Sequence, residues 1–175
     1  EINLYGDPAV VRRASDRIEG PQINLKELQR GTSVAQREAR VEGSGSIRFV
    51  VSQGLNGKQS PRPSLLEIYW TESMVYSEQT ANFVGNIRAV MSNDMDHKLG
   101  LTCASMKVYF VDGFQLQRSN QKQEKNVFQV AGSSSRPSED PIERIECNSK
   151  VVVDIDQLKD GLVESRNHAE FSDLT

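Results

Sequence analysis

The sequence predicts an all-β fold of antiparallel strands built from repeats, and three observations carry that expectation. Apolar and polar residues alternate with period 2 in nearly every segment, while a sustained helical period is almost absent. One short pattern recurs as Ala39-Arg40-Val41-Glu42-Gly43, as Ala81-Asn82-Phe83-Val84-Gly85 and, degenerate, as Ala169-Glu170-Phe171-Ser172-Asp173. A second recurs with it. Ile18-x-Gly20-x-x-Ile23-x-Leu25 has the spacing of Leu101-x-Cys103-x-x-Met106-x-Val108, and Ile145-x-Cys147-x-x-x-Val151-x-Val153 repeats it with one residue inserted. Such self-similarity marks units that cannot bury their apolar faces alone and must stack. The chain has 175 residues, 37% of them hydrophobic, which suits a single domain with a thin core and much surface.

Taken in order, Ile2-Asn3-Leu4 alternates, Gly6-Asp7-Pro8 marks a turn, and Ala9-Val10-Val11 resumes extended structure. Residues 18–25 form a strand with Gly20-Pro21 as a kink or bulge. Residues 25–40 contain the best helix formers, Lys26-Glu27-Leu28-Gln29-Arg30. Gly31-Thr32 interrupts them, so a hairpin connection with one helical turn is expected. Flexible insertions are expected near 52–64, 112–126 and 132–143, rich in Gly, Pro, Ser or Gln. Between them, Leu66-Glu67-Ile68-Tyr69-Trp70, Met74-Val75-Tyr76, residues 81–90, 99–103 and 106–110 alternate, residues 92–98 form a polar turn, and Val127 to Val130 is a short strand.

Motifs that would carry chemistry are incomplete. The net charge of −3 gives no electrostatic footprint for a nucleic-acid partner, and no run of about 18 apolar residues offers a membrane-spanning helix. Gly43-Ser44-Gly45 lacks the third glycine and following helix of a phosphate loop, and Gly57-Lys58 lacks the earlier glycine of a Walker loop. Asn93-Asp94-Met95-Asp96-His97 lacks the glycine and terminal glutamate of a calcium loop, so no metal site is expected. His97 and His168 fall in no triad or metal spacing, and Glu164, Glu170 and Asp173 read as charged surface. No enzyme activity and no cofactor are expected. Cys103 and Cys147 occupy the same place in the recurring element, so they are either a disulfide joining two rungs or two buried thiols in one apolar column. The chain starts at Glu1 without a leader and reads as a mature or excised fragment of a longer protein.

The remaining candidate is an apolar stripe: Ile23, Leu25, Val41, Phe49, Ile68, Trp70, Phe83, Ile87, Met106, Val108 and Phe110. On a stacked sheet these side chains either fill a closed core or line two walls that stay apart and accept acyl chains. Each buried methylene of such a chain would contribute about 0.8 kcal/mol.

The same residues carry a resemblance. Gly6-Asp7-Pro8-Ala9, then residues 18–25 and 39–43, resemble the OstA-like family of periplasmic lipopolysaccharide-transport proteins, with the strand pattern returning at 74–87, 101–110 and 145–171. The resemblance implies a β-jellyroll of the LptA type, a V-shaped stack of antiparallel strands, in the periplasm of a Gram-negative-type cell envelope. It implies lipopolysaccharide or another acylated lipid as partner, and head-to-tail self-association or docking to homologous jellyrolls by strand addition. Three long polar insertions, Cys in place of the usual small residue, and Asp173 in place of the last glycine depart from the family pattern. The alternative expectation is a structural or adhesive cell-envelope β-domain with a closed core and a protein partner.

Overall fold

Alternation becomes strand along almost all of the described chain. The structure, a computed structural model, describes residues 1–13, 16–28, 36–53, 59–92, 97–110, 142–159 and 162–174. Strands make up 94% of these residues and helix none. In order they are β1 (Ile2–Arg13), β2 (Asp16–Leu28), β3 (Gln36–Glu42), β4 (Gly45–Gln53), β5 (Gln59–Trp70), β6 (Ser73–Ser77), β7 (Thr80–Ser92), β8 (His97–Phe110), β9 (Ile142–Lys159) and β10 (Leu162–Leu174).

All ten belong to one antiparallel sheet, and part of it closes on itself: β2, β3, β6, β7, β5 and β4 form a ring. The registers show how. β3 and β4 run one after the other along the same edge of β2, with Val41 opposite Ile23 and Ile47 opposite Ile18. β5 and β6 do the same along β7, with Ile68 opposite Ala89 and Met74 opposite Phe83. β3 then pairs with β6, and β4 with β5. Each broken pair therefore acts as one long strand split in the middle. Beyond the ring, β1 extends the sheet from β2, while β8, β9 and β10 extend it from β7.

The split strands are part of a line of bends that crosses the whole sheet. Registers shift between Tyr5 and Ala9 in β1, between Val84 and Ile87 in β7, between Thr102 and Ser105 in β8, and between Phe171 and Asp173 in β10. Gly43 and Gly85 take left-handed φ of 82° and 86° on this line, as do Asn86, Ser149 and Lys150. On either side of it the sheet forms a wall, and the inner faces of the two walls meet. Phe49 of β4 lies edge-on to Phe110 of β8 at 6.1 Å, and Trp70 of β5 packs on Phe83 of β7 at 5.3 Å. Such aromatic pairs add about 0.5–1.5 kcal/mol beyond the area they bury. One apolar cluster fills the space between the walls, from Ile18 and Ile23 to Cys147 and Val151.

Backbone groups freed at the crease find partners outside the ladders. The Thr71 and Glu72 amides donate to the Gly85 and Val84 carbonyls at 2.8 and 3.2 Å, and the Trp70 indole N–H donates to the Gly43 carbonyl at 3.0 Å. A buried donor left unpaired here would cost roughly 1–3 kcal/mol.

Several expectations change. The Gly6-Asp7-Pro8 turn is a bulge inside the continuous strand β1, because Pro8 leaves no ladder bond to break on the sheet's outer edge. Residues 25–28 and 36–40 are strand, paired between β2 and β3, and residues 29–35, the remainder of the expected connection with its helical turn, lie outside the described residues. The insertion expected at 52–64 is shorter: residues 52–53 end β4, residues 59–64 begin β5, and 54–58 lie outside the described residues. Ser92 and residues 97–98 of the expected polar turn are strand. The strand expected at 127–130 and the insertions near 112–126 and 132–143 lie outside the described residues, apart from Ile142-Glu143 at the start of β9.

The crease sets a steric prediction. A Cβ added to Gly20 would lie 2.2 Å from Val41 Cγ1, whereas one added to Gly100 meets nothing nearer than 3.9 Å. Gly20→Ala should lose about 2 kcal/mol of stability in urea unfolding, and Gly100→Ala should stay within about 0.5 kcal/mol of the parent. Equal losses at the two positions would contradict a tight crease.

Candidate functional site

All eleven residues of the apolar stripe lie in the buried cluster: Ile23, Val41, Ile68 and Val108 are wholly inaccessible, and Leu25, the most accessible, is 9% exposed. Alternation along β2, β3, β4, β5, β7 and β8 points them all between the walls. In this state they serve as packing. Among the described residues the buried set is apolar, with Ser64 as its polar member. Its interior therefore offers chiefly dispersion contacts.

Burial fades toward the two ends of the sheet. Cys147 and Val151 of β9 are inaccessible, Val153 packs only partly against the cluster, and Ile155 is 38% exposed. Phe171 of β10 stands opposite Val151, and Ala169 opposite Val153, so both share the inward face of β9. Phe171 is nevertheless 45% exposed. The inner face thus continues past the packed core and is uncovered at Val153, Ile155, Ala169 and Phe171. An open cavity of about 530 Å³ sits beside it at the crease, lined by Ser149, Lys150, Glu170, Phe171, Ser172 and Asp173. At the other end, Ile2 of β1 lies opposite the buried Leu25, and Leu4 opposite Ile23. Ile2 is 57% exposed.

Both ends are also edges. Among the described strands β1 pairs only with β2, and β10 only with β9, so each leaves one row of backbone donors and acceptors without a ladder partner. Most of the exposed large hydrophobic side chains belong to these end strands: Ile2, Tyr5 and Val10 on β1, and Leu162, Val163 and Phe171 on β10.

The outer face of the β9–β10 pair carries a polar ladder that local sequence spacing does not reveal. Arg166 donates to both Asp156 carboxylate oxygens at 2.6 and 3.0 Å. His168 Nδ1 lies 2.8 Å from Asp154, and its Nε2 lies 3.4 Å from Glu170. Only the cross-strand register brings His168 opposite Asp154. Asp173, expected as plain charged surface, accepts the Ser149 amide at 3.1 Å where β9 takes its left-handed bend. A second polar hollow, about 140 Å³, lies on the outer face of β2, β4 and β5. Its charges pair with each other, Arg48 with Glu67 and Arg17 with Glu19. His97 begins β8, and the expected polar cluster at residues 93–96 lies outside the described residues.

No protein-family model, no curated protein and no solved structure matches this chain.

The ladder has a pH signature. The hydrogen bond to Asp154, then the one to Glu170, raises the His168 pKa above its ordinary 6.5. A raised folded-state pKa means the pairing stabilises fully below the unfolded value near 6.5 and is lost as pH rises through the higher folded value. NMR titration should place the His168 transition above that of an unstructured histidine, and Asp154→Asn should bring it down. The stability difference between parent and His168→Gln should shrink with rising pH. A difference constant with pH would refute the pairing.

Proposed function

We propose that the chain is a non-enzymatic, OstA-like β-jellyroll module of the periplasm. It binds an acylated lipid such as lipopolysaccharide and bridges to other β-units in lipopolysaccharide transport or outer-membrane biogenesis. One observation supports this above the others: the inward face runs past the packed core to an uncovered apolar strip on β9 and β10, flanked by an open strand edge. The two walls creased along one line support the V-shaped jellyroll reading. An acyl chain laid along Val153, Ile155, Ala169 and Phe171 would gain about 0.8 kcal/mol per buried methylene. A strand added to β10, or to β1 at the opposite end, would satisfy the open ladder there. A second copy could supply that strand in a head-to-tail stack.

The second reading, a structural or adhesive domain with a protein partner, draws on a different observation. The eleven stripe residues are all buried in the one apolar cluster between the walls. In that case the edges dock protein strands, and no lipid enters.

Photo-crosslinking separates the two. A photoreactive residue placed at Phe171 or Ile155 should label with lipopolysaccharide several-fold more than one at Tyr69, which lies on the outer face of β5. Labelling at Phe83 should appear only to the extent that the walls part. Equal labelling at Phe171 and Tyr69, or none at either, would remove the lipid reading and leave the protein-partner one.

A further inference from the structure

The β8–β9 ladder breaks at the crease, as do those of β1–β2, β7–β8 and β9–β10. Paired residues run from His97–Gln157 to Thr102–Val152, stop, and resume at Ser105–Asn148. Cys103 lies in that break, and Cys147 stands opposite Met106, one pair beyond it. Both cysteines are buried and unbonded in the described state, and their thiols hydrogen-bond one another. They are the chain's two cysteines.

We infer that Cys103 and Cys147 form an intramolecular disulfide that staples β8 to β9 where the backbone ladder is missing. Two buried thiols close enough to hydrogen-bond, carried by adjacent antiparallel strands, are a pair that the roughly 2.05 Å bond of a disulfide can join. The remaining redox partner is an external disulfide, on a small molecule or an oxidoreductase. One cysteine thiolate attacks a sulfur of that disulfide, whose other sulfur leaves with the bonding electron pair. The second cysteine thiolate then attacks the mixed disulfide, forming the Cys103–Cys147 bond and releasing the second external thiolate. Two protons and two electrons leave the chain, and the external disulfide ends as two thiols. Because the finished fold buries both groups, the exchange belongs to folding, before the walls close.

The staple is distinct from the lipid or partner role, since it closes the loop between residues 103 and 147 and fixes the root of the β9–β10 end. It would act chiefly by limiting the unfolded chain. The test uses the whole protein, refolded in a buffer of reduced and oxidised glutathione, then denatured and alkylated without reductant. The disulfide predicts no alkylated thiol, a mass lower by two hydrogen atoms than the reduced form, and a proteolytic peptide pair joining Cys103 to Cys147. Reduction should lower the Tm by about 10 °C. Two alkylated thiols per chain, or disulfide-linked dimers in place of the internal bond, would overturn the inference. Both readouts are independent of any lipid or partner.

Discussion

The structure depends on a steric constraint at one line across the sheet, where each long strand must pass from one wall to the other. At that line the inner faces converge, and a side chain of ordinary size has nowhere to go. Gly20 abuts Val41, Gly85 abuts Thr71 and Glu72, and Cys103 and Cys147 abut each other. Where the backbone turns through left-handed φ, glycine takes the position without a Cβ penalty, as at Gly43 and Gly85. Where it does not, a bulge shifts the inward-facing set by one residue. In β2 the buried residues change from Ile18 and Gly20 to Ile23 and Leu25, and in β8 from Leu101 and Cys103 to Met106 and Val108. That shift keeps apolar side chains between the walls on both sides of the bend.

With the walls held at that line, the aromatic residues close the space between them. Phe110 touches both Phe49 of the facing wall and Tyr76 of its own, and Trp70 joins Phe83 while its indole N–H satisfies the Gly43 carbonyl. Packing is complete in the middle of the sheet, where facing strands exist on both sides. It thins at β1 and β10, the end strands among the described residues, where Ile2 and Phe171 are exposed. The proposed lipid and partner contacts follow from this geometry. Surface ion pairs such as Arg166–Asp156 contribute little to the packing, since exposed pairs add only about 0–1 kcal/mol. Their effect is to hold β10 in register on β9.

Much of the fold was legible in the sequence, and the crease explains why. Alternation at 66–70, 81–90 and 101–110 led to strands with the correct residues inward. The two recurring patterns looked like separate parts of a repeat unit, but they are one rule: an inward apolar residue, one outward residue, then the crease. Val41-x-Gly43, Phe83-x-Gly85, Ile18-x-Gly20 and Leu101-x-Cys103 all obey it. What stayed hidden depends on long-range pairing. Gly6-Asp7-Pro8 carries turn chemistry yet lies within a strand, because β2 templates β1 on both sides of it. The His168–Asp154 pair and the uncovered position of Phe171 are set by the β9–β10 register, which no local pattern encodes. The eleven stripe residues were read correctly as sharing one face, but how tightly the walls pack cannot be derived from a list of apolar positions.

The central claim is that the inner face is packed in the middle and open to a ligand at the β9–β10 end. Methyl-resolved NMR during titration with lipopolysaccharide tests it most directly, because methyl-bearing residues sample both regions. The account predicts shifts at Val153, Ile155 and Ala169, with Ile23, Val41 and Ile68 unchanged at low occupancy. Shifts centred on Ile23, Val41 and Ile68, with the β9–β10 methyls unmoved, would contradict it.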